Sequence, residues 1–323
     1  MRALIALAGI TAVAGCVAAF PIDRPSDYTA ESKLGTCRVD LPQSWKDLLS
    51  RDSTEAGPHE KVTVVAANGD GGTTLVKTKR NRTTELVLHD HGKRQQVMAV
   101  QNDGQLFGVE FDGRWVTFST TPGPSDQTTT YAWDARDDGA PVRIGGSGAV
   151  VHNGKAAWSD SAGVHLFDLA RKKDRVVGQG KRPVFLGDAV LWQQDGRFRS
   201  ESAVPEQLRN AEPGDSVASD GRTVVWAQGE KLMGWREGWP QPRELAAIRS
   251  VPLTEGIVFP RVSGDFVSWQ SESSYVTDIR SGATTHTTEG GYWLEVHGGA
   301  LTRQGWRVAA AAPLEKLSPL YRC

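Results

Sequence analysis

Short apolar segments recur along the chain, each followed by a glycine turn and a second apolar segment that closes on an aromatic residue. Five such second segments are present, at residues 112–118, 153–158, 187–192, 220–226 and 263–269. Their closing aromatics are Phe118, Trp158, Trp192, Trp226 and Trp269, spaced by 40, 34, 34 and 43 residues. This spacing is close to the roughly 40-residue period of a four-stranded propeller blade.

Two further strands are predicted after each aromatic residue. Polar residues separate the aromatic from a third apolar segment, as at 131–134, 164–169 and 275–282. A fourth segment follows at 141–144, 175–177 and 283–286. Short β-branched segments joined by Gly- or Asp-containing turns are typical of antiparallel strands.

A single all-β propeller accounts for the repetition. A four-stranded sheet has two apolar faces and cannot bury them alone, so the blades must stack into a closed ring. Residues 62–100 and 293–317 can supply two further blades with a weaker signature. We therefore expect one β-propeller over residues 37–323, with seven blades, or six if the terminal pieces merge, and a ring that closes near the termini.

The repeat resembles those of the TolB-like and PD40-type propellers. The resemblance spans about residues 106 to 290 and includes the hairpin from Asp278 to Gly282, whereas the hairpin at Asp168 keeps the aspartate and lacks the glycine. The Gly-His and Trp-Asp pairs of WD40 blades do not occur at the corresponding positions. The resemblance implies a fold and leaves the function open.

Composition agrees with a turn-rich β protein and argues against nucleic-acid binding. The chain has 35 Gly and 16 Pro, and its 11 Trp outnumber its 9 Phe and 5 Tyr. Lys and Arg number 37 against 38 Asp and Glu, a formal charge of -1. A chain without excess positive charge is not drawn to the phosphate backbone.

The N-terminus predicts export. Arg2 precedes an apolar run, so residues 1–15 have the layout of a secretory signal peptide. The tetrapeptide at 13–16, Val-Ala-Gly-Cys, resembles the lipobox of bacterial lipoproteins, which implies acylation of Cys16, with residues 16–36 as a flexible tether. The alternative is an ordinary signal peptide cleaved after Ala18 or Ala19.

Two cysteines remain in the exported part, Cys37 near its beginning and Cys323 at the last position. A disulfide persists outside the cytoplasm, and a ring brings the chain ends within the distance that such a bond requires. We expect Cys37 and Cys323 to pair; the alternative is two unrelated thiols.

Residues 41–50 predict one short helix with Leu41, Trp45, Leu48 and Leu49 on one side. We expect it to pack against the ring, and docking to a partner is the alternative.

No local catalytic, metal or cofactor motif was found. The Gly-x-Ser-x-Gly string of a nucleophile elbow does not occur, and the glycine-rich stretches at 69–72 and 145–148 lack the Lys and the following helix of a P-loop. His89 and His91 on one strand would share a face but give two ligands only. The acidic residues at 134–138 suit a turn better than a calcium loop.

Two groups of tryptophans need separate interpretations. The periodic Trp158, Trp192, Trp226 and Trp269 are predicted to form the core between blades. Trp235, Arg236 and Trp239 form a candidate binding loop, because aromatic and charged residues together suit recognition. Packing at a blade edge is the alternative for this loop.

Two functional hypotheses follow. The first is a monomeric, non-enzymatic binding or scaffold protein, lipid-anchored at the outer face of the bacterial cytoplasmic membrane, that holds an envelope protein, peptide or glycan. The second is a propeller hydrolase or lyase acting on envelope glycan or a small molecule, with catalytic residues from separate blades. Converging carboxylates and histidines in the channel would favour catalysis, and an aromatic rim would favour binding.

Replacement of Cys16 by Ser tests the anchor. Acyl chains anchor a protein through about 0.8 kcal/mol per buried CH₂, so the variant should leave the membrane fraction while staying folded. Fractionation followed by circular dichroism of the soluble protein measures both properties. Continued membrane retention of the variant would contradict acylation.

Overall fold

A computed structural model describes residues 37–51, 53–57, 60–69, 73–123, 127–137, 139–214, 216–248, 259–271, 273–287, 293–305 and 308–321. Within these residues the chain forms 28 strands, one α-helix and two short 3₁₀ helices. No helix in the described part is long and apolar enough to cross a membrane. The strands form seven separate sheets, the blades of one propeller.

The blades follow one another in chain order. Blade 1 contains β3 (Glu60–Ala67), β4 (Thr73–Arg80), β5 (Thr83–Asp90) and β6 (Lys93–Val100). Blade 2 contains β7 (Gln105–Phe111), β8 (Trp115–Thr121), β9 (Thr129–Asp134) and β10 (Val142–Gly145). Blade 3 contains β11 (Val150–His152), β12 (Lys155–Asp160), β13 (Gly163–Asp168) and β14 (Lys173–Gly178). Blade 4 contains β15 (Lys181–Leu186), β16 (Ala189–Gln194) and β17 (Arg197–Ser200).

Two of the remaining three blades take in strands from the N-terminal part of the described chain. Blade 5 contains β18 (Val217–Ser219), β19 (Thr223–Gln228), β20 (Lys231–Arg236) and β21 (Arg243–Ala247). Blade 6 contains β22 (Arg261–Ser263), β23 (Phe266–Gln270), β24 (Ser274–Asp278) and β25 (Ala283–His286), with β1 (Cys37–Val39) beside β25. Blade 7 contains β26 (Trp293–His297), β27 (Ala300–Gln304) and β28 (Val308–Pro313), with β2 (Thr54–Glu55) beside β28. Seven blades are therefore confirmed over six.

The N-terminal segment closes the ring on two blades. Strand β2 is the antiparallel fourth strand of blade 7, and β1 pairs in parallel with the outer strand of blade 6. Between them lies α1 (Gln43–Arg51), in which Trp45 and Leu49 are buried. The Trp45 indole N–H donates to the carbonyl of Ser318 at 3.0 Å, so the helix packs against the ring as expected.

The first and last described segments of the chain lie near each other. Cys37 is paired with Ala283, which is itself paired with Asp278 on the next strand. The backbone N–H of Leu320 donates to the Asp278 carboxylate at 3.1 Å. Because Cys323 lies outside the described residues, the Cys37–Cys323 bond stays a prediction.

The periodic aromatic residues form the core between blades, as predicted. Phe118, Trp158, Trp192, Trp226 and Trp269 lie on the second strands of blades 2 to 6 and are buried. Close packing against these rings requires glycine at the ends of the fourth strands of blades 2 and 3. A Cβ at Gly145 would lie 2.6 Å from the Trp158 indole, and one at Gly178 would lie 2.3 Å from the Trp192 indole.

The Asp-Gly turn between the first two strands joins neighbouring blades. One carboxylate oxygen of Asp112 accepts the N–H groups of its own turn, and the other accepts the Gly154 N–H of blade 3 at 3.1 Å. Asp220 contacts Gly264 of blade 6 in the same way at 3.0 Å. The repeated turn therefore stabilises the ring as well as each hairpin.

Blade 4 departs from the four-stranded pattern. After β17 the chain forms a 3₁₀ helix, Glu206–Leu208, in place of a fourth strand. Pro205 and Pro213 flank this segment, and proline cannot donate to a sheet ladder. The sheet of blade 4 therefore ends at β17.

Replacement of Trp226 by Ala should lower the free energy of unfolding by about 3 to 5 kcal/mol, the range for large-to-small changes in a core. Trp226 is 1% exposed and packs between blades 4 and 5. Trp293, which is 49% exposed, provides the control, and its replacement by Ala should change stability by about 0.5 kcal/mol or less. Urea denaturation measures both variants, and equal effects would contradict the core assignment of Trp226.

Candidate functional site

The first strands of the seven blades surround a central channel of about 1300 Å³. The first strands begin at one end of the channel, and the Asp-Gly turns lie at the other end. Channels of this kind are the usual ligand sites of closed β architectures. The channel is therefore the candidate functional site.

One layer of the channel combines apolar and charged residues. In each blade we consider the position three residues before the glycine of the first turn. Four of these positions carry small or apolar residues, and three are charged. From blade 1 to blade 7 they are Ala66, Glu110, Val151, Val184, Ala218, Arg261 and Glu295.

The three charged residues meet across the channel. Arg261 Nη1 of blade 6 lies 2.9 Å from Glu110 Oε1 of blade 2, and Arg261 Nε lies 3.8 Å from Glu295 Oε2 of blade 7. His297 Nε2 is 2.9 Å from the same Glu295 oxygen. Blades 2 and 6 are separated along the ring, so this ion pair spans the interior.

Amide and ammonium groups complete the surroundings of Glu295. Gln270 Nε2 donates to Glu295 Oε1 at 2.9 Å, and Gln304 Nε2 lies 3.4 Å from Glu295 Oε2. Lys77 donates to the carbonyl of Leu106 at 3.4 Å and adds a positive charge to the same neighbourhood. Both carboxylate oxygens of Glu295 are therefore occupied.

The members of this cluster shift one another's pKa values. Burial alone would raise the pKa of Glu295, but the hydrogen bond and charge interaction with His297, together with the charge of Arg261, outweigh burial and lower that pKa to about 2. Burial, together with the charge of Arg261, lowers the pKa of His297. Near neutral pH, Glu295 is therefore ionised and His297 is neutral, with its N–H available to donate to Glu295.

Three exposed aromatic side chains lie in or just before the first strands of these three blades, on the side away from the Asp-Gly turns. Phe107, Phe259 and Trp293 are 38%, 62% and 49% exposed. Each precedes a member of the charged layer by two or three residues. We call these three side chains the aromatic rim.

Strand register places rim and charged residues on common faces. Phe107 is paired with Ser119 and Glu110 with Thr117, and these two partners lie on one face of β8. Phe107 and Glu110 therefore also share a face although they are three residues apart, because a bulge at Gly108 adds one residue. Trp293 and Glu295 are two apart on the regular strand β26. Blades 2 and 7 thus each carry an aromatic side chain and a charged side chain on one face, and Phe259 of blade 6 lines the channel two residues before Arg261. We call this end of the channel its mouth.

The side chains of the candidate loop at 235–239 mostly contact other residues of the propeller. Trp235 is buried between blades 4 and 5, and its indole N–H donates to the carbonyl of Trp239 at 3.1 Å. Arg236 forms an ion pair with Asp265 at 2.6 Å, and Arg243 lies over the Trp239 ring at 4.3 Å. This arrangement matches the packing alternative.

Other residues considered in the sequence are dispersed. His89 ends up on β5 and His91 in the following turn, with a positive φ, so the two do not share a strand face. Asp134 accepts a bidentate contact from Arg114, and Asp138 lies outside the described residues. Among the described residues, no group of three or more His, Cys, Asp or Glu could hold a metal ion. Cys16 also lies outside them.

Sequence reasoning missed the charged layer and the aromatic rim. A signal was present, since alignment of the repeats places Glu110, Arg261 and Glu295 where the other blades have Ala or Val. No rule of spacing indicates which of seven blades face each other across the channel. The pairing of Glu110 with Arg261 therefore required the structure.

Comparison with solved structures agrees with the fold. PorZ of Porphyromonas gingivalis, described as an essential bacterial surface component of the type-IX secretion system, is similar with 10% identity and a TM-score of 0.52. The match covers 84% of this chain and 39% of PorZ, so the chain spans well under half the length of that protein. At this identity the likeness shows the fold alone.

Two further structures are similar at lower scores. TolB from Acinetobacter baumannii matches with 14% identity over 88% of this chain and 86% of its own, at a TM-score of 0.40. AztD from Citrobacter koseri matches with 8% identity over 77% and 89%, at a TM-score of 0.44. No family model and no curated protein matches the sequence. The class of the protein is thus defined by its own architecture, a seven-bladed β-propeller.

Replacement of Glu295 by Gln tests the ionised layer through pH. A carboxylate whose folded pKa is lowered from 4.5 to about 2 stabilises the fold above pH 4.5, and this stabilisation is lost as pH falls towards 2. The contribution amounts to about 3 kcal/mol. The stability gap between wild type and variant should therefore be widest near pH 6 and shrink by about that amount towards pH 2.

Urea denaturation of both proteins across this pH range measures the gap. Titratable residues outside this cluster titrate equally in the two proteins, so they cancel in the difference, which reports Glu295 and its partners in the cluster. A gap that stays constant with pH would contradict an ionised Glu295.

Proposed function

We propose that this protein is an exported, non-enzymatic binding protein that holds a component of the cell envelope at the aromatic mouth of its channel. The observation that carries the proposal is the aromatic rim, Phe107, Phe259 and Trp293, on the three blades that also supply the charged layer. The ligand is an envelope protein, peptide or glycan. We infer that the protein acts as a monomer.

The exposure of the rim supports this proposal. A large aromatic side chain buries about 150 to 250 Å² when it is covered, so three of them left in water favour binding of a partner. Aromatic residues also dominate the energetics of many interfaces. Phe259 lines the channel itself, which connects the rim to the interior.

The ionised layer supports recognition at the floor of the mouth. Glu110 and Arg261 both line the channel, and they present an acceptor and a donor side by side. A few placed polar groups within a largely apolar site usually fix the orientation of a ligand. The mouth has both parts of such a site.

The location of the protein is part of the proposal. We infer that acylation at Cys16 anchors it to the outer face of the cytoplasmic membrane and that a Cys37–Cys323 disulfide secures the ring. Cys37 and Leu320 both pack against the hydrophobic cluster shared by blades 6 and 7. This proximity supports the disulfide.

Catalysis is the second candidate, because two carboxylates and a histidine converge on Arg261. A glycoside hydrolase needs one carboxylic acid with a raised pKa to protonate its leaving group. The pKa of Glu295 is lowered instead, and its oxygens are occupied by His297 and Gln270. These features favour binding over hydrolysis.

Removal of the rim tests the proposal. Soluble Cys16→Ser protein should capture its ligand from envelope extracts, and a further Phe259→Ala and Trp293→Ala double change should weaken capture by about tenfold or more, as for loss of aromatic hot spots. Tyr321→Ala is the matched control, since Tyr321 is an exposed aromatic that follows the last strand of blade 7 and belongs to none of the first strands. Affinity purification followed by mass spectrometry and glycan analysis measures capture.

Two outcomes would contradict the proposal. Equal capture by the rim variant and the Tyr321 control would remove the mouth as the binding site. Turnover of the captured component by the wild type, with loss of turnover in Glu110→Gln, would replace binding by catalysis.

A further inference from the structure

The outer edge of blade 4 is open. Strand β17, Arg197–Ser200, pairs with β16 on one side and has no strand on the other within the described residues. The chain that follows, at 201–214, is described, and Leu208 from it is buried against Phe198 and Trp226. That segment therefore packs between blades 4 and 5, and within the described residues no backbone hydrogen bond joins it to the outer edge of β17.

An open edge is a template for another strand. Every second residue of an antiparallel edge strand directs its N–H and C=O groups away from the sheet. Extended peptides bind such edges by adding a strand through main-chain hydrogen bonds. The four residues of β17 are enough for a short ladder.

Other blades of this protein already accept strands from distant parts of the chain. Blade 7 takes β2 as its fourth strand, with Thr54 opposite Ala309. Blade 6 takes β1 as a fifth strand, in parallel. Blade edges in this ring therefore have room for an added strand, and blade 4 is the one with an empty fourth position among the described blades.

The strand register shows which side chains of β17 point towards blade 3, beside the empty fourth position of blade 4. Arg199 is paired with Trp192, and Trp192 packs with Leu166 of blade 3. Paired residues of antiparallel strands share a face, so Arg199 faces blade 3. Arg197, two residues earlier, faces the same way and lies 3.7 Å from Glu212.

Blade 3 adds positive charge from the opposite side. Arg175 is paired with Leu166 and therefore faces blade 4, as does Lys173 two residues earlier. Arg175 is bound by Glu201 through two hydrogen bonds, one of them Nη2 to Oε2 at 2.8 Å. Arg199 and Lys173 have no ion pair in the described part of the chain. The facing surfaces of blades 3 and 4 beside β17 therefore carry an excess of positive charge.

We propose that the open edge of blade 4 binds an extended, acidic segment of a partner protein, which adds to β17 as the missing fourth strand. This surface lies outside the channel and is independent of the ligand bound at the aromatic rim. Main-chain hydrogen bonds between β17 and the added segment form the ladder. Acidic side chains at every second position of the segment form ion pairs with Arg199 and Lys173. The other role open to these arginines is to guard the edge against strand pairing.

Synthetic peptides test the proposal with the full chain. Three blocked peptides of about eight residues alternate Val with Glu, alternate Val with Lys, or carry Pro at two central positions of the Glu peptide. The Glu peptide should bind, and the other two should bind about tenfold more weakly or less, as measured by fluorescence anisotropy. Amides of β17 should gain protection from hydrogen exchange when the Glu peptide is bound.

A charge reversal identifies the site. Arg199→Glu should weaken binding of the Glu peptide by about tenfold. Arg143→Glu is the matched control, because Arg143 is an exposed arginine on β10, the outer strand of the complete blade 2. That control should leave the affinity unchanged.

Several outcomes would overturn the proposal. These are no binding of the Glu peptide up to about 1 mM, equal binding of the Pro peptide, equal loss in both arginine variants, or binding without protection of β17. A dimer that forms with concentration and disappears in Arg199→Glu would show that a second copy occupies the edge instead. None of these results depends on the channel mouth, so they do not bear on the proposed function.

Discussion

The structure depends on the need of every blade to cover two apolar faces. A sheet such as blade 5 has Trp226 and Leu232 against blades on opposite sides, and neither face could remain in water. Each blade is thus stable only with both neighbours, and the first and last blades must meet. Ring closure by β1 and β2 satisfies that constraint, and the central channel is its geometric by-product.

Much of the fold could be predicted from the sequence because the constraint repeats. The Gly-to-Trp segments recur with a period near 40 residues, and each of Trp158, Trp192, Trp226 and Trp269 proved to be buried on a second strand. Blade 1 was also expected, although Leu75 and Leu86 carry its core without tryptophan. The three-stranded blade 4 does not follow from the repeat, because the fourth strand has the weakest pattern of each blade. Pro205 and Pro213 flank the segment that stands in its place.

The candidate site could not be predicted in the same way, since it is formed by exceptions to the repeat. Glu110, Arg261 and Glu295 each occupy a position that is apolar in other blades, and they meet only because the ring brings blades 2, 6 and 7 around one axis. The loop at 235–239 illustrates the converse. Its aromatic and charged composition suggested recognition, yet Trp235 fills space between blades and Arg236 binds Asp265. Local composition shows which functional groups a segment carries. The topology determines whether those groups face a ligand or a neighbouring blade.

The attachment of the N-terminal segment to two blades, through β1 and β2, has a mechanical consequence. When Cys37 is reduced, so that no disulfide ties it to Cys323, a pulling force applied to the chain before Cys37 reaches β1 first, which is held to blade 6 by a three-residue parallel pairing. Loss of β1 leaves the four antiparallel strands of blade 6 intact, and α1, anchored through Trp45, then resists before β2 is loaded. The N-terminal segment would thus detach in stages, first β1, then α1 and last β2. The channel and its mouth would keep their shape until β2 separates from blade 7.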